Sequence, residues 1–479
     1  MVDVGGIGGE GLDRRTLLRG AGGVLGAAAA GSLLSGCEPP PPRSAWRQSF
    51  TTPRGGDVTL VGVGGWCWFT EARTLLTPAG RLYLGTVANG TGTARDGTVE
   101  VHSVDVSGGL TAGRPVTRSA LARHNPDDHN NPGLELTSTG GVLTTWSAHV
   151  EDLFLRRAHD PGGTGAFTVL DPIERPDVAT PPGRAVAYGS LHRLDDVGVT
   201  LVAYRGEQYS WNLMRSFDDG LTWEPLGLLL VPPEVGERPY PKFASDGRRL
   251  WFATTEGHPR TYQPTSVRVG AVDADGVITD DSGAVRGGTG AGVSVTSLPY
   301  AYQCPANADS WVSEVRVVGG RLTISASLRG PRVDSAAGAW AHDHLRIRSD
   351  GEGRWSRELV ARGGGELGGN VIEPDYTGLA ALDPSTHNRM VVATNVHPTD
   401  GVALRSRADG RVHFELWQMD RSTDGTGRWH ATALTRDSTE DNIRPHVARR
   451  GDQKILSWVR GWYHDPNRYA TSIVSRQAA

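Results

Sequence analysis

Ser216-Phe217-Asp218-Asp219-Gly220-Leu221-Thr222-Trp223 reads S-x-D-x-G-x-T-W, the Asp-box pattern. Its serine and aspartate bond turn backbone, its glycine accepts a left-handed conformation, and its tryptophan packs between strands. Such turns mark the blades of β-propellers. Ser349-Asp350-Gly351 with Trp355, and Ser422-Thr423-Asp424-Gly425 with Trp429, repeat the pattern more weakly. Around these turns lie short β-branched or aromatic runs bounded by Gly, Asp or Asn, the signature of strands. Examples are Arg81 to Val87, Val199 to Tyr204, Leu250 to Thr254, Arg321 to Ala326, Met390 to Thr394 and Lys454 to Trp458. Helical periodicity is scarce, and the 64 glycines fit many tight turns. At about 60 residues per blade the chain predicts an all-β, seven-bladed β-propeller with degenerate Asp-box repeats. A β-helix or a pair of sandwiches is the alternative.

The N-terminus carries a different message. Asp13-Arg14-Arg15-Thr16-Leu17-Leu18-Arg19 matches a twin-arginine export signal. An Ala/Gly-rich apolar stretch follows, too short for a good membrane span. It ends in Leu34-Ser35-Gly36-Cys37, a lipobox whose thiol would take the lipid. Four prolines, Pro39 to Pro42, then favour a stiff extended tether. Residues 1–36 are therefore expected as a signal peptide, 37–45 as a lipidated tether and 46–479 as the propeller. The expected product is a cell-surface lipoprotein held to the membrane by its lipid alone. A net charge of −4 excludes a globally basic nucleic-acid binder. Any anionic ligand must be gripped by local arginines. Cys67 and Cys304 could pair, bind metal or sit buried.

Several segments together resemble the BNR-repeat-containing β-propeller family that includes the ulvan lyases and related uronate polysaccharide lyases. They are Trp66-Cys67-Trp68-Phe69-Thr70-Glu71-Ala72-Arg73; Asp127-Asp128-His129-Asn130-Asn131-Pro132 with Ser147-Ala148-His149; and Tyr188 with Tyr204-Arg205-Gly206. Further along come Arg238-Pro239-Tyr240-Pro241-Lys242, Glu256-Gly257-His258-Pro259, Pro374-Asp375-Tyr376-Thr377-Gly378, Asn442-Ile443-Arg444-Pro445 and Trp458-Val459-Arg460-Gly461-Trp462-Tyr463. The resemblance implies a seven-bladed propeller, a monomer, that cleaves an acidic, uronate-containing polysaccharide of the rhamnose/glucuronate kind by β-elimination.

Such a lyase must neutralise the C6 carboxylate, remove the C5 proton and protonate the departing oxygen. None of these steps needs a cofactor. By the resemblance His129, His149, Tyr188 and Arg205 are catalytic. Arg205 would neutralise the carboxylate and, as an adjacent guanidinium, lower the Tyr188 pKa. His129, His149 and Tyr188 would divide the proton transfers. Tyr240, Lys242, Arg73, Arg444 and Asn130 would contact substrate. His258, Cys304, His342 and His344 form a weak candidate set for a structural zinc, at a spacing that matches no compact zinc motif. A sialidase-like glycoside hydrolase and a non-catalytic glycan-binding propeller are the competing functions. No F-R-I-P-like arginine motif supports the first, and a plain binder does not need paired histidines with a tyrosine and an arginine.

Cys37→Ala should move the protein out of the membrane fraction, because the lipid on that thiol is the expected anchor. Fractionation that leaves the variant membrane-bound would refute the lipobox.

Overall fold

The computed structural model describes residues 56–90, 92–148, 152–158, 186–331, 340–367 and 375–478. The expected signal peptide, Cys37 and its tether, His149 and Pro374 lie outside the described residues.

Seven sheets follow one another along the chain. Blade 1 runs from strand Thr74–Leu76 to strand Val116–Arg123, and blade 2 from Gly133–Leu136 to Leu153–Arg157. Blade 3 spans Ala187–Leu194 to Glu224–Val231, and blade 4 spans Lys242–Ser245 to Val285–Gly288. Blade 5 spans Asp309–Val318 to Arg354–Gly364, and blade 6 spans Ala380–Leu382 to Trp429–Ala433. Blade 7 takes strands Asp441–Arg450, Gln453–Asp465 and Arg468–Ala478, then borrows Val58–Val61 from the other end of the chain. That borrowed strand pairs antiparallel with the last one, Val58 opposite Ser475. The first strands of successive blades touch in order, and the first strand of blade 7 touches that of blade 1. The ring is closed, and first strands line the hub. Helix among the described residues is confined to 3₁₀ turns such as Asp128–Asn130.

Antiparallel hairpins give the ring two distinct faces. The connection from one blade's outer strand to the next blade's inner strand lies on the same face as each second-to-third hairpin. His129, Tyr188, Arg205, Tyr240, His258 and Arg444 all sit on such connections or at the strand ends beside them, so they share that face. The Asp-box turn joins a third strand to a fourth and lies on the opposite face.

In that turn the Gly220 N–H donates to Ser216 Oγ at 2.8 Å, and the Thr222 N–H and hydroxyl donate to Asp218 at 2.8 and 2.6 Å. Gly220 has φ +80°, and a Cβ there would lie 2.8 Å from a methyl of Leu143 in blade 2. Trp223, expected to be buried, is half-buried. Its indole donates to Gly220 O at 3.2 Å, and its ring covers a cluster joining Leu143 and Leu155 of blade 2 to Val202 and Met214 of blade 3. The weaker echoes also reach back one blade. Trp355 of blade 5 donates to Asp281 of blade 4 at 2.5 Å, and Trp429 of blade 6 donates to Glu358 of blade 5 at 3.1 Å. These tryptophans therefore tie blade to blade, with one edge in water.

Asp218→Ala should cost about 1–2 kcal/mol, because the Asp218 carboxylate accepts several short bonds that hold the turn; an unchanged urea midpoint would show the turn to be held by Trp223 alone. A second expectation concerns acid. Burial pushes His192 and His344 down to about 4 from the ordinary 6.5. Both are neutral in the fold, so their stabilisation is complete above pH 6.5 and drains away as pH falls toward 4, where the unfolded chain is already protonated. Urea midpoints should fall across that window and fall less in His344→Gln. Equal slopes in wild type and variant would remove His344 from the account.

Candidate active site

The chain enters the hub directly after the closing strand. Trp66 donates to Arg444 O at 3.1 Å, and the Cys67 N–H donates to Asn131 Oδ1 at 3.0 Å. Phe69 is thereby placed at the centre of an aromatic floor. Its ring lies 5.9 Å from His129 at 12°, 5.0 Å from Tyr188, 4.6 Å from Tyr240 and 5.3 Å from Trp311.

His129 stands on the 3₁₀ turn Asp128–Asn130, capped by Asp127. Asp127 Oδ1 accepts the His129 N–H at 3.0 Å and faces Nδ1 at 2.6 Å. A carboxylate can only accept, so Nδ1 carries the proton and the tautomer is set. Burial alone would discharge the ring, but Cys67, Tyr188 and Asp127 together hold its pKa well above the ordinary histidine value.

Tyr188 has φ +59°, a conformation uncommon for a side-chain-bearing residue. The register between the first two strands of blade 3 slips beside it, between Ala203 and Arg205. This irregularity re-aims the tyrosine from the sheet toward the hub. Its ring lies 5.5 Å from that of His129 and 4.6 Å from the Arg205 guanidinium. The expected lowering of its pKa does not hold. Burial dominates and raises it far above the ordinary tyrosine value, against the pull of His129 and Arg205.

Arg205 ends the second strand of blade 3 and is 2 % exposed. Its guanidinium lies over the rings of Tyr188, Tyr209 and Tyr240 at 4.6, 5.3 and 5.8 Å, and donates to the Tyr240 hydroxyl at 3.4 Å. The groups that act on its charge are tyrosines, and its Nε has no acceptor. Aromatic faces offset part of the cost of burying a cation, but a carboxylate would offset far more.

Three of the other expected substrate contacts, Lys242, Arg444 and Asn130, have protein partners. Lys242 is buried, ion-paired with Glu71 and bonded to the Trp68 carbonyl. Arg73 is buried where its charge acts on Glu71 and His446. Arg444 pairs with Asp128, donates to Trp66 O at 2.6 Å and stacks 4.2 Å over Tyr463, whose hydroxyl bonds Asp128 at 3.0 Å. Asn130 is buried and donates to Asn125 O and Oδ1 at 3.1 and 3.0 Å. Lys242, Arg444 and Asn130 thus brace the hub, whereas Tyr240 meets Arg205.

The expected zinc set does not assemble. His344 of blade 5 bonds Ala393 O of blade 6 at 3.2 Å, and the Cys304 thiol is pushed up to about 12 by burial, with Asp309 and Glu256 adding to it. Cys67 and Cys304 are both free and buried. Among the described residues, the ligand atoms that do come together, within 4.8 Å, belong to Cys67, Asp128 and His129. Arg444 and Asp127 already engage the latter two, so the set is poorly disposed to a metal.

His258 instead joins the hub aromatics of the candidate site, a place sequence reasoning missed. It lies 5.6 Å from Tyr240 and 5.1 Å from Trp311. Its Nδ1 accepts the Arg260 N–H at 3.1 Å. Burial, then Arg260, Arg238 and Arg205, push it down to about 3, so it is a neutral donor at ordinary pH. The available signal was positional: His258 follows the second strand of blade 4 as Arg205 ends that of blade 3.

No protein-family model matches the chain, and no curated protein matches its sequence. Solved structures do. An ulvan lyase, described as a new family of polysaccharide lyase and bound to a fragment of glucuronate and 3-sulfated rhamnose, superposes with a TM-score of 0.59 at 11 % identity, over 88 % of this chain and 95 % of that one. Another described polysaccharide lyase superposes at 0.50 and 9 % identity, over 86 % and 91 %. At these identities the likeness shows a common β-propeller fold and nothing finer.

Proposed function

We propose that this protein is a polysaccharide lyase that cleaves a uronate-containing polysaccharide by β-elimination. The observation that carries this reading is Arg205: a buried cation surrounded by tyrosines, with His129 beside Tyr188 on the same face. A C6 carboxylate would supply the missing countercharge. Neutralised in this way, the sugar holds its C5 proton less tightly, and the enolate-like intermediate is stabilised by the guanidinium. His129, in its neutral form, takes the C5 proton. The C5 electron pair forms the C4–C5 double bond as the C4–O4 bond breaks. Tyr188, which burial keeps protonated, gives its proton to the departing oxygen. His149 is proposed to share these transfers. Because His129 must first lose the proton that its surroundings favour, the rate should rise with pH as that group deprotonates. The ligand of the superposed ulvan lyase makes a glucuronate–sulfated-rhamnose glycan the first substrate to try. With the export signal and Cys37 at its N-terminus, the enzyme is proposed to act outside the cytoplasm on a lipid tether.

The test is ultraviolet absorbance of the products, since β-elimination alone creates the conjugated unsaturated uronate. Arg205→Ala should lower kcat/KM by about 10²–10³-fold. Tyr188→Phe should lower kcat by about 10²–10⁴-fold with substrate still bound. A Tyr188→Phe enzyme of near wild-type rate would make the tyrosine structural.

A further inference from the structure

The second-to-third-strand hairpin of blade 7, between Gln453–Asp465 and Arg468–Ala478, stands on the same face as His129. It is bound to the loop that carries that histidine. The Asp128 N–H donates to Pro466 O at 2.9 Å, and Tyr463 bonds the Asp128 carboxylate at 3.0 Å. Asn89 donates to Asn467 O at 3.0 Å. Successive residues of a strand face opposite ways. Tyr463 faces Asp128 and Arg444, so Trp462 lies on the other side of the strand, the side of Arg460.

Trp462 is unlike the other aromatics near the hub. Trp66, Trp68 and Trp311 are 0, 1 and 2 % exposed, whereas Trp462 is 59 % exposed. Its ring is nevertheless aligned, 6.0 Å from the His464 imidazole at an interplanar angle of 5°. Arg460, about 7 Å back along the strand, borders a polar cavity of about 440 Å³ lined also by Asp57 and residues 433–440. That lining loop joins blade 6 to blade 7 and opens on the same face. The ring pair thus stands between the His129 loop and a polar cleft.

We propose that Trp462, aligned with His464, is a sugar-stacking platform that holds a pyranose ring of the polysaccharide at a distance from the scissile bond. One face of a pyranose presents mainly C–H groups, and laying it on an indole removes apolar area from water while the hydroxyls stay hydrated. The patch is one indole and one imidazole flanked by Asp465, Asn467 and Arg468. That suits one sugar ring and is far below the area of a stable protein interface. The identity of the ligand rests on the polysaccharide-lyase reading; the position of the platform does not. The hairpin's bonds to the His129 loop mean that a ring on Trp462 fixes the chain relative to the proton-transfer residues.

The experiment compares wild type, Trp462→Ala and Trp462→Phe on a glucuronate–sulfated-rhamnose polysaccharide and on a tetrasaccharide prepared from it. Trp462→Ala should raise KM for the polymer about tenfold with kcat unchanged, and leave the tetrasaccharide untouched. Trp462→Phe should retain most of the polymer affinity. An unchanged polymer KM, or equal losses on polymer and tetrasaccharide, overturns the platform. Retardation of each protein in a gel containing the same polymer needs no turnover. If wild type releases no unsaturated product yet is retarded, and Trp462→Ala is not, the lyase reading fails and the platform stands. Equal migration of the two proteins removes the platform whatever the activity.

Discussion

The structure depends on one antiparallel pairing, that of strand Val58–Val61 with the last strand of the chain. Each propeller blade is a small twisted sheet with two faces to bury, and a ring lets every blade bury both against its neighbours. The pairing also has a local effect. Having completed blade 7, the chain must cross to blade 1, and residues 62–73 make that crossing through the hub. Trp66, Trp68 and Phe69 are delivered there, and against them pack aromatic residues from blades 3, 4 and 5. Closure and the aromatic floor of the candidate site are consequences of the same stretch of chain.

Within that floor, charges are arranged in two ways. Two deeper cations are ion-paired: Lys242 with Glu71, and Arg444 with Asp128. Removing one partner of such a buried pair leaves an uncompensated charge. Arg205 is the contrast, a buried cation that meets tyrosine faces where the others meet carboxylates. Tyr188 beside it occupies an uncommon backbone region and keeps its proton because it is desolvated. In the proposed function an anionic sugar would relieve the cost of burying Arg205, so that ligand binding and the chemical step would share their energy.

Local features of this fold were readable from the sequence because they are set by neighbouring residues. Short strands, the Ser216–Trp223 turn and its weaker copies belong to that class. What was hidden depends on residues far apart. Arg444 and Asp128 are 316 positions apart and Lys242 and Trp68 are 174 apart. The sequence therefore offered Arg444 and Lys242 as available cations when each was already engaged. The contact of Tyr188 with Arg205 was legible from their strands, but its electrostatic sign was not, because burial is a property of the whole hub. His258 was grouped with Cys304, His342 and His344 by residue type alone, and the topology separates it from His344 in blade 5 and brings it to Trp311.

The tryptophans at the outer turns also bear on how the molecule is made. Trp223, Trp355 and Trp429 each reach back to the blade that precedes their own. A chain leaving the ribosome presents blades in that order, so each of these three turns finds its docking surface already synthesised. Val58–Val61 has the opposite fate. Its partner, Arg468–Ala478, emerges only after all the strands between them, and it must stay unpaired until then. Its four residues, short and bordered by Asp57 and Gly62, offer little edge for a stray strand to recruit meanwhile.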